Sequence, residues 1–572
     1  MQNLTTYHPI FSMLLCTGFC WQLTENCQQG KWWAAACVFA SVLLGKSKLQ
    51  IGAVEIAMIT LLTWVLCNDI AHHYYSVVKT TVWGTCCILF YITSKQIPER
   101  IWFGTAALIT ITLLLFTTLI RLGIKLPFTL QIFNNAAGEA SVLSLGWVLS
   151  LPLVAKAFLR MNENQRRIAL ISTRLTIIAI ILYIATLLFY SSRTGFLAII
   201  VGTSVFYILT QWKLWTKKLR ISISFAGIGI WLITTYLLYH RHTESADGRL
   251  QIYRIVWSMC KKHLWCGAGT DAMAAHYMTA QAQMLHGDSE SKSAWLASDV
   301  LYPFNEFLGW QLSYGFIGCL LMILTIALIW RSIRDDKKIY VAAVLATLGT
   351  LGMFSYPSAY PLVVLLTIGA IGISTKENCK VTSYDNVSRS PSTFKTLLFS
   401  LLAITSVGLA IKENIKEELL GNSNTEMSQN MLNDYRKYYP ILQFDNHFLY
   451  TYATELNLAG ANKESQKVIN RLKGRMNNYD TEMLAGDNAL SLHEWNEAYH
   501  HFQLAHDMVP VRFMPLFGTM QTHLMKGDTL QAINIAKRLI RKPAKVENGD
   551  LQFIRNEAKI IINSNRNKQQ KK

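Results

Sequence analysis

The chain has little charge and no motif typical of a metal site. Asp, Glu, Lys and Arg make up 16% of its 572 residues, whereas 51% are apolar. This balance excludes an ordinary soluble globule and is typical of a membrane protein with many spans. The 11 cysteines form no Cys-x-x-Cys pair and no cluster with histidine, so the sequence predicts neither a bound metal nor a disulfide framework.

Long apolar runs, by contrast, are abundant. Segments long enough to cross a bilayer, about 20 residues each, recur from the N-terminus to about residue 411. The first run has no convincing small-residue cleavage site, so we expect a retained helix rather than a signal peptide. The thirteen predicted spans are 9–23, 32–45, 50–67, 76–93, 102–120, 139–157, 168–190, 194–212, 221–239, 312–330, 339–354, 359–374 and 395–411.

The net charge of +19 would suit a nucleic-acid partner, but its placement argues against one. If the N-terminus is cytoplasmic, twenty Lys and Arg residues fall in cytoplasmic loops and four in short outer loops. Such a distribution follows the positive-inside rule and predicts a multi-pass membrane protein whose N-terminus is cytoplasmic. The four outer basic residues are Lys31, Arg121, Lys125 and Arg193.

Arg193 is notable among these four, because an apolar run, 196–201, follows it almost at once. An arginine on the outer side does not serve the positive-inside rule, so it needs another reason. An anionic ligand carried by a lipid would supply one. In the alternative interpretation, Arg193 only extends to the phosphates of lipid headgroups.

A loop at 240–301 interrupts the apolar pattern on the outer side. Its segment 248–259 places Ile252, Ile255, Val256 and Met259 on one face of a helix. We expect this face to lie on the membrane surface or on the helix bundle. The segment Gly267-Ala268-Gly269 is expected to end this part of the loop.

The chain after residue 411 is hydrophilic and carries an internal repeat. Ser465, Ala498 and Ala532 lie 33 and 34 residues apart, and Pro510 and Pro543 lie 33 apart. A period of about 34 residues with small residues at the packing point is typical of tetratricopeptide repeats. Because one helix pair cannot bury its apolar face alone, we expect about three units to stack.

The predicted fold is all-α: a polytopic transmembrane bundle of about 12–13 spans with a periplasmic domain of tetratricopeptide-like repeats. The predicted domains are 1–411 (transmembrane, including the periplasmic loop 240–301), 412–440 (linker), 441–562 (repeats) and 563–572 (a basic, disordered tail).

Four short motifs on the outer side resemble those of the O-antigen ligase and polymerase superfamily, which includes bacterial O-linked oligosaccharyltransferases. The resemblance covers roughly residues 100–375. The segment Ser355-Tyr356-Pro357 and the repeats are similar to a subgroup with a C-terminal repeat domain. The motifs are Phe133-Asn134-Asn135, Ser192-Arg193-Thr194-Gly195, Asp247-Gly248-Arg249-Leu250 with the glycine turn at 262–269, and Asn305-Glu306-Phe307-Leu308 followed by Tyr314-Gly315.

This resemblance implies a metal-independent transferase on the periplasmic face, with no cofactor. It would move a glycan from an undecaprenyl-diphosphate carrier to an acceptor hydroxyl. The acceptor could be lipid A-core sugar, a growing polysaccharide, or a Ser or Thr of a protein. The repeats favour a protein acceptor or a periplasmic protein partner, because such solenoids offer concave binding surfaces.

The resemblance also implies roles for particular residues. Arg193 and Arg249 would clamp the diphosphate and stabilise its charge on departure, since guanidinium donates two parallel hydrogen bonds to phosphate. Arg249 could instead pair with Asp247 or Glu244. The further substrate-binding candidates are Asn134, Asn135, Arg254 and Asn305. Lys79, near the outer end of the fourth span and outside the resemblance, is a candidate from its position alone: it contacts the diphosphate or, in the alternative, extends to the lipid headgroups.

Phe304 departs from the family pattern, because many members carry a histidine at this position that is proposed to assist the acceptor hydroxyl. No general base therefore transfers from the family. Glu306 is the nearest ionisable group and is our candidate base. Alternatively, Glu306 only satisfies the first turn of a helix that begins at Asn305.

Two other functions remain open at this point. One is a polysaccharide polymerase of the same superfamily. The other is a non-enzymatic membrane scaffold, or a transporter, with a tail that recruits partners. A transporter should show related halves and interrupted helices near the middle of the membrane. The spans show no internal symmetry, and the unusual polar residues gather at one surface.

Overall fold

The computed structural model describes residues 29–44, 51–72, 77–121, 136–159, 193–212, 215–241, 243–375, 392–422 and 429–570. Within these residues every regular element is helical, which confirms the predicted all-α class. The predicted spans at 9–23 and 168–190 lie outside the described residues, as do Asn134 and Asn135.

The chain divides into two compact units. The first contains Met1–Arg241 and Phe304–Glu417, and the second contains His242–Pro303 and Glu418–Lys572. The helices that begin in the first unit are α1 (Gln29–Leu44), α2 (Ala53–Ala71), α3 (Val77–Ser94), α4 (Glu99–Arg121), α5 (Ala136–Leu159), α6 (Arg193–Gln211), α7 (Lys217–Arg241), α11 (Glu306–Ser332), α12 (Lys338–Phe354), α13 (Pro361–Ser374) and α14 (Ser392–Asn422).

The second unit holds the remaining helices, some before α11 in the chain and the rest after α14. These are α8 (Thr243–Lys262), α9 (Ala272–Leu285), α10 (Lys292–Leu296), α15 (Gln429–Leu442), α16 (Asn446–Leu458), α17 (Asn462–Lys473), α18 (Tyr479–Ser491), α19 (Trp495–Met508), α20 (Met514–Lys526), α21 (Thr529–Arg541) and α22 (Gly549–Gln570). The division differs from the predicted one, which assigns the loop 240–301 to the transmembrane domain.

Six helical segments among the described residues are long and apolar enough to cross a membrane, and two shorter apolar helices accompany them. The protein is therefore a multi-pass membrane protein, as predicted. The six segments are Ala53–Ala71, Val77–Ser94, Arg193–Gln211, Glu306–Ser332, Asp335–Phe354 and Thr396–Gly421.

Glycines let the helices of the first unit approach one another closely. A Cβ atom built on Gly202 of α6 would lie 2.1 Å from Thr347 Oγ1 of α12. One built on Gly369 of α13 would lie 1.9 Å from the indole of Trp102, which is fully buried. Small residues at such crossings are how membrane helices gain packing contacts without a hydrophobic driving force between them.

The helix α11 is broken at Gly315, within the Tyr314-Gly315 motif. Gly315 has φ 65° and ψ −170°. This region is essentially restricted to glycine. The break frees the carbonyl of Tyr314 from the helix, and the indole N–H of Trp64 donates a hydrogen bond to it at 3.1 Å. The motif therefore marks a change of helix direction just beyond residues 305–308.

The repeat helices of the second unit pack each on the next along the chain. Ser465, Ala498 and Ala532 are completely buried, so the predicted packing points are confirmed. Each lies in the first turn of its helix: α17, α19 and α21 begin at Asn462, Trp495 and Thr529, which are 33 and 34 residues apart. The period of about 34 residues is therefore a helix–turn–helix period.

Two segments that the sequence predicts to be irregular are largely helical. The predicted linker, 412–440, contains the end of α14 and most of α15, and Tyr435 of α15 is completely buried. The helix α22 continues to Gln570, into the predicted disordered tail. Aromatic packing explains the first difference, because the Tyr435 ring stacks on Tyr452 with centroids 5.6 Å apart.

The loop between α7 and α11 packs on the repeat helices. The side-chain amide of Gln281 in α9 donates to the carbonyl of Met508 at 2.7 Å. The backbone N–H of Asn477 donates to the carbonyl of Ala274 at 3.1 Å. The Asn478 side chain bonds to Asp299 at 3.2 Å. Loop and repeats thus form one folded unit.

The apolar face of α8 is buried, as predicted, but its partner was predicted incorrectly. Ile252, Ile255, Val256 and Met259 are buried, and α8 packs on α9 and α10. The side chain of Gln251 strengthens this contact by donating to the carbonyl of Ser293 at 3.0 Å. The face therefore packs on helices of its own unit, and not on the membrane surface or the transmembrane bundle as predicted.

Candidate functional site

Arg193 is the first residue of α6, and the first turn of this helix is fixed against α5. The hydroxyl of Ser144 donates to the carbonyl of Gly195 at 3.0 Å. A Cβ atom on Gly195 would lie 2.7 Å from the Cβ of Ala140. The Arg193 side chain itself is half-exposed. A rigid helix start therefore presents a guanidinium that solvent or a ligand can reach.

The start of α5 lies against a group of aromatic side chains. A Cβ atom on Gly138 would lie 2.4 Å from the ring of Tyr360. The ring of Tyr360 stacks on Tyr356 at 5.9 Å, and Tyr356 meets the ring of Phe304 edge-on at 5.5 Å. We call Phe304, Tyr356 and Tyr360 the aromatic cluster. Through α5, the cluster lies at the same end of the first unit as Arg193.

Phe304, two residues before the candidate base, adopts an unusual backbone conformation. Its φ is +52°, in the left-handed region that non-glycine residues rarely enter. Such strain persists only where surrounding contacts hold it, and it is frequent at functional sites. The contact between Phe304 and Tyr356 is one such restraint, and it fixes where α11 begins.

Asn305 is the N-cap of α11. Its side-chain oxygen accepts a hydrogen bond from the N–H of Leu308 at 3.0 Å, which satisfies one free donor of the first turn. Its side-chain amide donates to the carbonyl of Met353 at 3.4 Å. Asn305 therefore has a clear structural role, and both ends of its amide group are engaged.

The carboxylate of Glu306 is oriented by Ser358. The Ser358 N–H donates to it at 2.8 Å, and the Ser358 hydroxyl lies 2.7 and 2.8 Å from its two oxygens. Ser358 is exposed and belongs to the short 3-10 turn Pro357–Ala359. The alternative in which Glu306 satisfies its own helix turn does not describe this contact, because Asn305 supplies that cap.

Sequence reasoning did not identify Ser358. The neighbouring segment Ser355-Tyr356-Pro357 indicates only a similarity to a subgroup of the superfamily. The proline was nevertheless a usable signal, because its fixed φ favours a tight turn and the following residue then projects from it. No local pattern, however, links residues 306 and 358.

Lys79 forms an ion pair with Glu413 at 3.0 Å, and Glu413 is almost completely buried. Lys416 also contacts this carboxylate. A buried carboxylate without a cationic partner destabilises the fold, so both lysines have a structural role: they neutralise Glu413. This pairing accounts for the position of Lys79 without a diphosphate.

Arg249 and Arg254 belong to the second unit, on α8. Arg249 is half-buried and Arg254 is exposed. Burial raises the pKa of Tyr253, and the nearby charge of Arg249 opposes this shift. Asp247, one of the alternative partners considered for Arg249, forms an ion pair with Lys292 at 2.7 Å. The arginine thus lies on a helix that two polar side chains, those of Asp247 and Gln251, connect to α10.

The geometry describes helices of a membrane protein that hold an arginine, a carboxylate and aromatic rings at one end of a bundle. A model of the O-antigen ligase family matches residues 178–323. This segment contains Arg193, Arg249, Arg254, Asn305 and Glu306. The match covers about a quarter of the chain; over these residues the chain is similar to the O-antigen ligase family, and this similarity supports a glycan-transfer, ligase-type function for a membrane protein.

No curated protein and no solved structure matches the chain. The family match includes neither Lys79 nor the repeats, which lie outside residues 178–323. The assignment of the repeats to the tetratricopeptide family therefore stays a prediction.

Proposed function

We propose that this chain is a transferase of the bacterial inner membrane that moves a glycan from an undecaprenyl-diphosphate carrier to an acceptor hydroxyl on the periplasmic side. The observation that carries the proposal is the family match over 178–323, which contains both candidate clamp arginines and the candidate base. The predicted excess of basic residues in the cytoplasmic loops supports the periplasmic position.

The leaving group sets the first chemical requirement. Breaking the bond between the sugar's anomeric carbon and the diphosphate oxygen leaves an electron pair, and hence negative charge, on the carrier. Arg193 meets that charge at the start of α6, where the positive end of the helix dipole also favours an anion. Arg249 contributes a second guanidinium fork.

Activation of the acceptor is the second requirement. Glu306 accepts the proton of the acceptor hydroxyl while the hydroxyl oxygen attacks the anomeric carbon. The hydrogen bonds from Ser358 support this role, because they hold both carboxylate oxygens in one orientation and leave lone pairs for a substrate proton. The aromatic cluster beside it offers faces on which a sugar ring can pack.

Substituting Glu306 tests the base role. Glu306→Gln keeps the size of the side chain and an oxygen that can accept from Ser358. We expect transfer to fall about 10²- to 10⁴-fold, the usual contribution of a general base. Turnover would be measured against pH with purified, correctly folded protein. Ser358→Ala is the matched control: it keeps the carboxylate, so its loss should be smaller. A Glu306→Gln enzyme with unchanged turnover at every pH would remove the base role.

The acceptor class can be decided in cells. Glycosylated lipid and glycosylated protein are compared in cells with and without the chain. Because the stacked helices favour a protein acceptor, we expect glycoprotein to disappear when the chain is absent. Loss of lipid A-core glycan alone would identify a lipid acceptor, and loss of only the longest glycans would identify the polymerase alternative. No change in any glycoconjugate would contradict a transferase.

A further inference from the structure

The second unit contains a half-open cavity of about 530 Å³ that no part of the transfer reaction uses. Glu290, in the loop before α10, and Trp295, in α10 itself, both line the cavity. The end of α19 contributes His506, and the end of α21 contributes Arg538, Arg541 and Lys542. A space of this size is typical of a small-molecule site.

Positive charge exceeds negative charge around this cavity. Among the lining residues, Arg538, Arg541 and Lys542 are basic and Glu290 is acidic. Both arginines are exposed, and neither forms a salt bridge in the part of the chain that the structure describes. Their place at the C-terminal end of α21 suits the helix dipole. The helix dipole therefore explains why basic residues lie at this helix end, but it supplies no carboxylate to pair with the two guanidinium groups.

Lys542 shows the same lack of an anion. Its ammonium donates to the carbonyls of Pro510 and Arg512, which are neutral partners. Burial, and then the charge of Arg538, lower the pKa of Lys542 to about 7. An anion in the cavity would reverse the effect of Arg538 and favour the charged lysine.

His506 supplies an independent observation. It is only 4% exposed, and neither ring nitrogen has a hydrogen-bond partner among the described residues. Burial, followed by the charges of Lys542 and Arg538, lowers the pKa of His506 to about 3, so the imidazole is neutral. Buried polar groups are nearly always hydrogen-bonded, so an unpartnered imidazole that lines a cavity points to a ligand.

We propose that this cavity binds an anionic saccharide, that is, a sugar that carries a carboxylate or a phosphate. Arg538 and Arg541 hold the charged group, and His506 bonds to a hydroxyl. The Lys545 ammonium lies over the Trp295 ring, 5.2 Å from its centroid, so the sugar ring packs on the opposite face of this indole. None of these residues is assigned to the diphosphate or to the acceptor proton, so the site is additional to the proposed transfer site and does not depend on it.

The test is calorimetric titration of the purified full-length protein with four probes: glucuronic acid, glucose 6-phosphate, glucose and inorganic phosphate. We expect both charged sugars to bind more tightly than glucose and more tightly than inorganic phosphate. Glucose binding as tightly as the charged sugars would overturn the proposal. So would phosphate binding as tightly as glucose 6-phosphate, or no binding of either charged sugar.

Variants locate the binding within the cavity. Arg538→Gln and Arg541→Gln should each weaken binding of both charged sugars at least tenfold. Lys537→Gln is the matched control, since Lys537 is an exposed neighbour on the same helix that does not line the cavity. Thermal unfolding curves that match the unmodified protein would show that the variants fold. Equal binding by the control and both arginine variants would place the sugars elsewhere and refute the assignment.

Discussion

Arg193→Ala should reduce glycan transfer about 10²- to 10³-fold, the loss typical of removing one preorganised donor that stabilises developing charge. The first turn of α6 is fixed by Ser144 and Ala140, so the backbone that carries the guanidinium is held in one place before substrate arrives. The entropy cost of ordering this helix start falls in folding and not in the transfer reaction. Membrane insertion and expression should be unchanged, because Arg193 is half-exposed at a helix start.

Two further variants sharpen this result. Arg193→Lys keeps the charge but not the planar fork, so it should recover only a small part of the activity. Lys217→Ala is the matched control, because Lys217 is also a basic first residue of a helix, α7, and is exposed. It should transfer glycan normally. Full transfer by Arg193→Ala would leave only the lipid-headgroup interpretation of this arginine.

Arg249→Ala should give a loss of similar size, about 10²-fold or more, if it forms the second half of the diphosphate clamp. Its helix, α8, is held by the apolar face on α9 and α10 and by the bond from Gln251 to Ser293. The substitution leaves the buried apolar side chains Ile252, Ile255, Val256 and Met259 in place, so we expect the loss to lie in turnover and not in folding. Donor cleavage and thermal unfolding, measured on the same preparation, check both statements.

The matched control for Arg249 is Lys261→Ala, an exposed basic residue in the last turn of the same helix. Its transfer rate should equal that of the unmodified protein. Arg254→Ala should have an effect between the two, since Arg254 is exposed. A normal rate of donor cleavage by a folded Arg249→Ala protein would remove Arg249 from the clamp and leave Arg193 alone.

The contact between loop and repeats affects how truncations are interpreted. Removing residues 441–572 would remove the carbonyl of Met508 that accepts from Gln281, and the segment around Asn477 that bonds to Ala274. The loop that carries Arg249 would lose these supports. A truncation therefore cannot separate acceptor choice from donor cleavage, whereas point variants can.

Features with a local periodic signal could be predicted from the sequence. The apolar face of α8 and the buried small residues Ser465, Ala498 and Ala532 follow from spacing along one or two helices. The helix start at Asn305 followed from its residue type, which is favoured at N-caps.

Contacts between distant parts of the chain could not be predicted. Ser358 is 52 residues from Glu306, and Glu413 is 334 residues from Lys79. Neither pair has a repeat or a spacing that marks it. The same holds for the docking of the loop on the repeats, because an apolar helix face shows that it is buried but not against what. The positive φ of Phe304 is likewise set by its surroundings, not by its residue type.

The most direct test of the central claim is the release of undecaprenyl diphosphate by the purified full-length protein, given an undecaprenyl-diphosphate-linked glycan and an acceptor. We predict that release equals the amount of glycan transferred, depends on the acceptor, and falls about 10²-fold or more in Arg193→Ala. The account would be contradicted if the folded, unmodified protein released none. Release at the same rate from Arg193→Ala would contradict it equally.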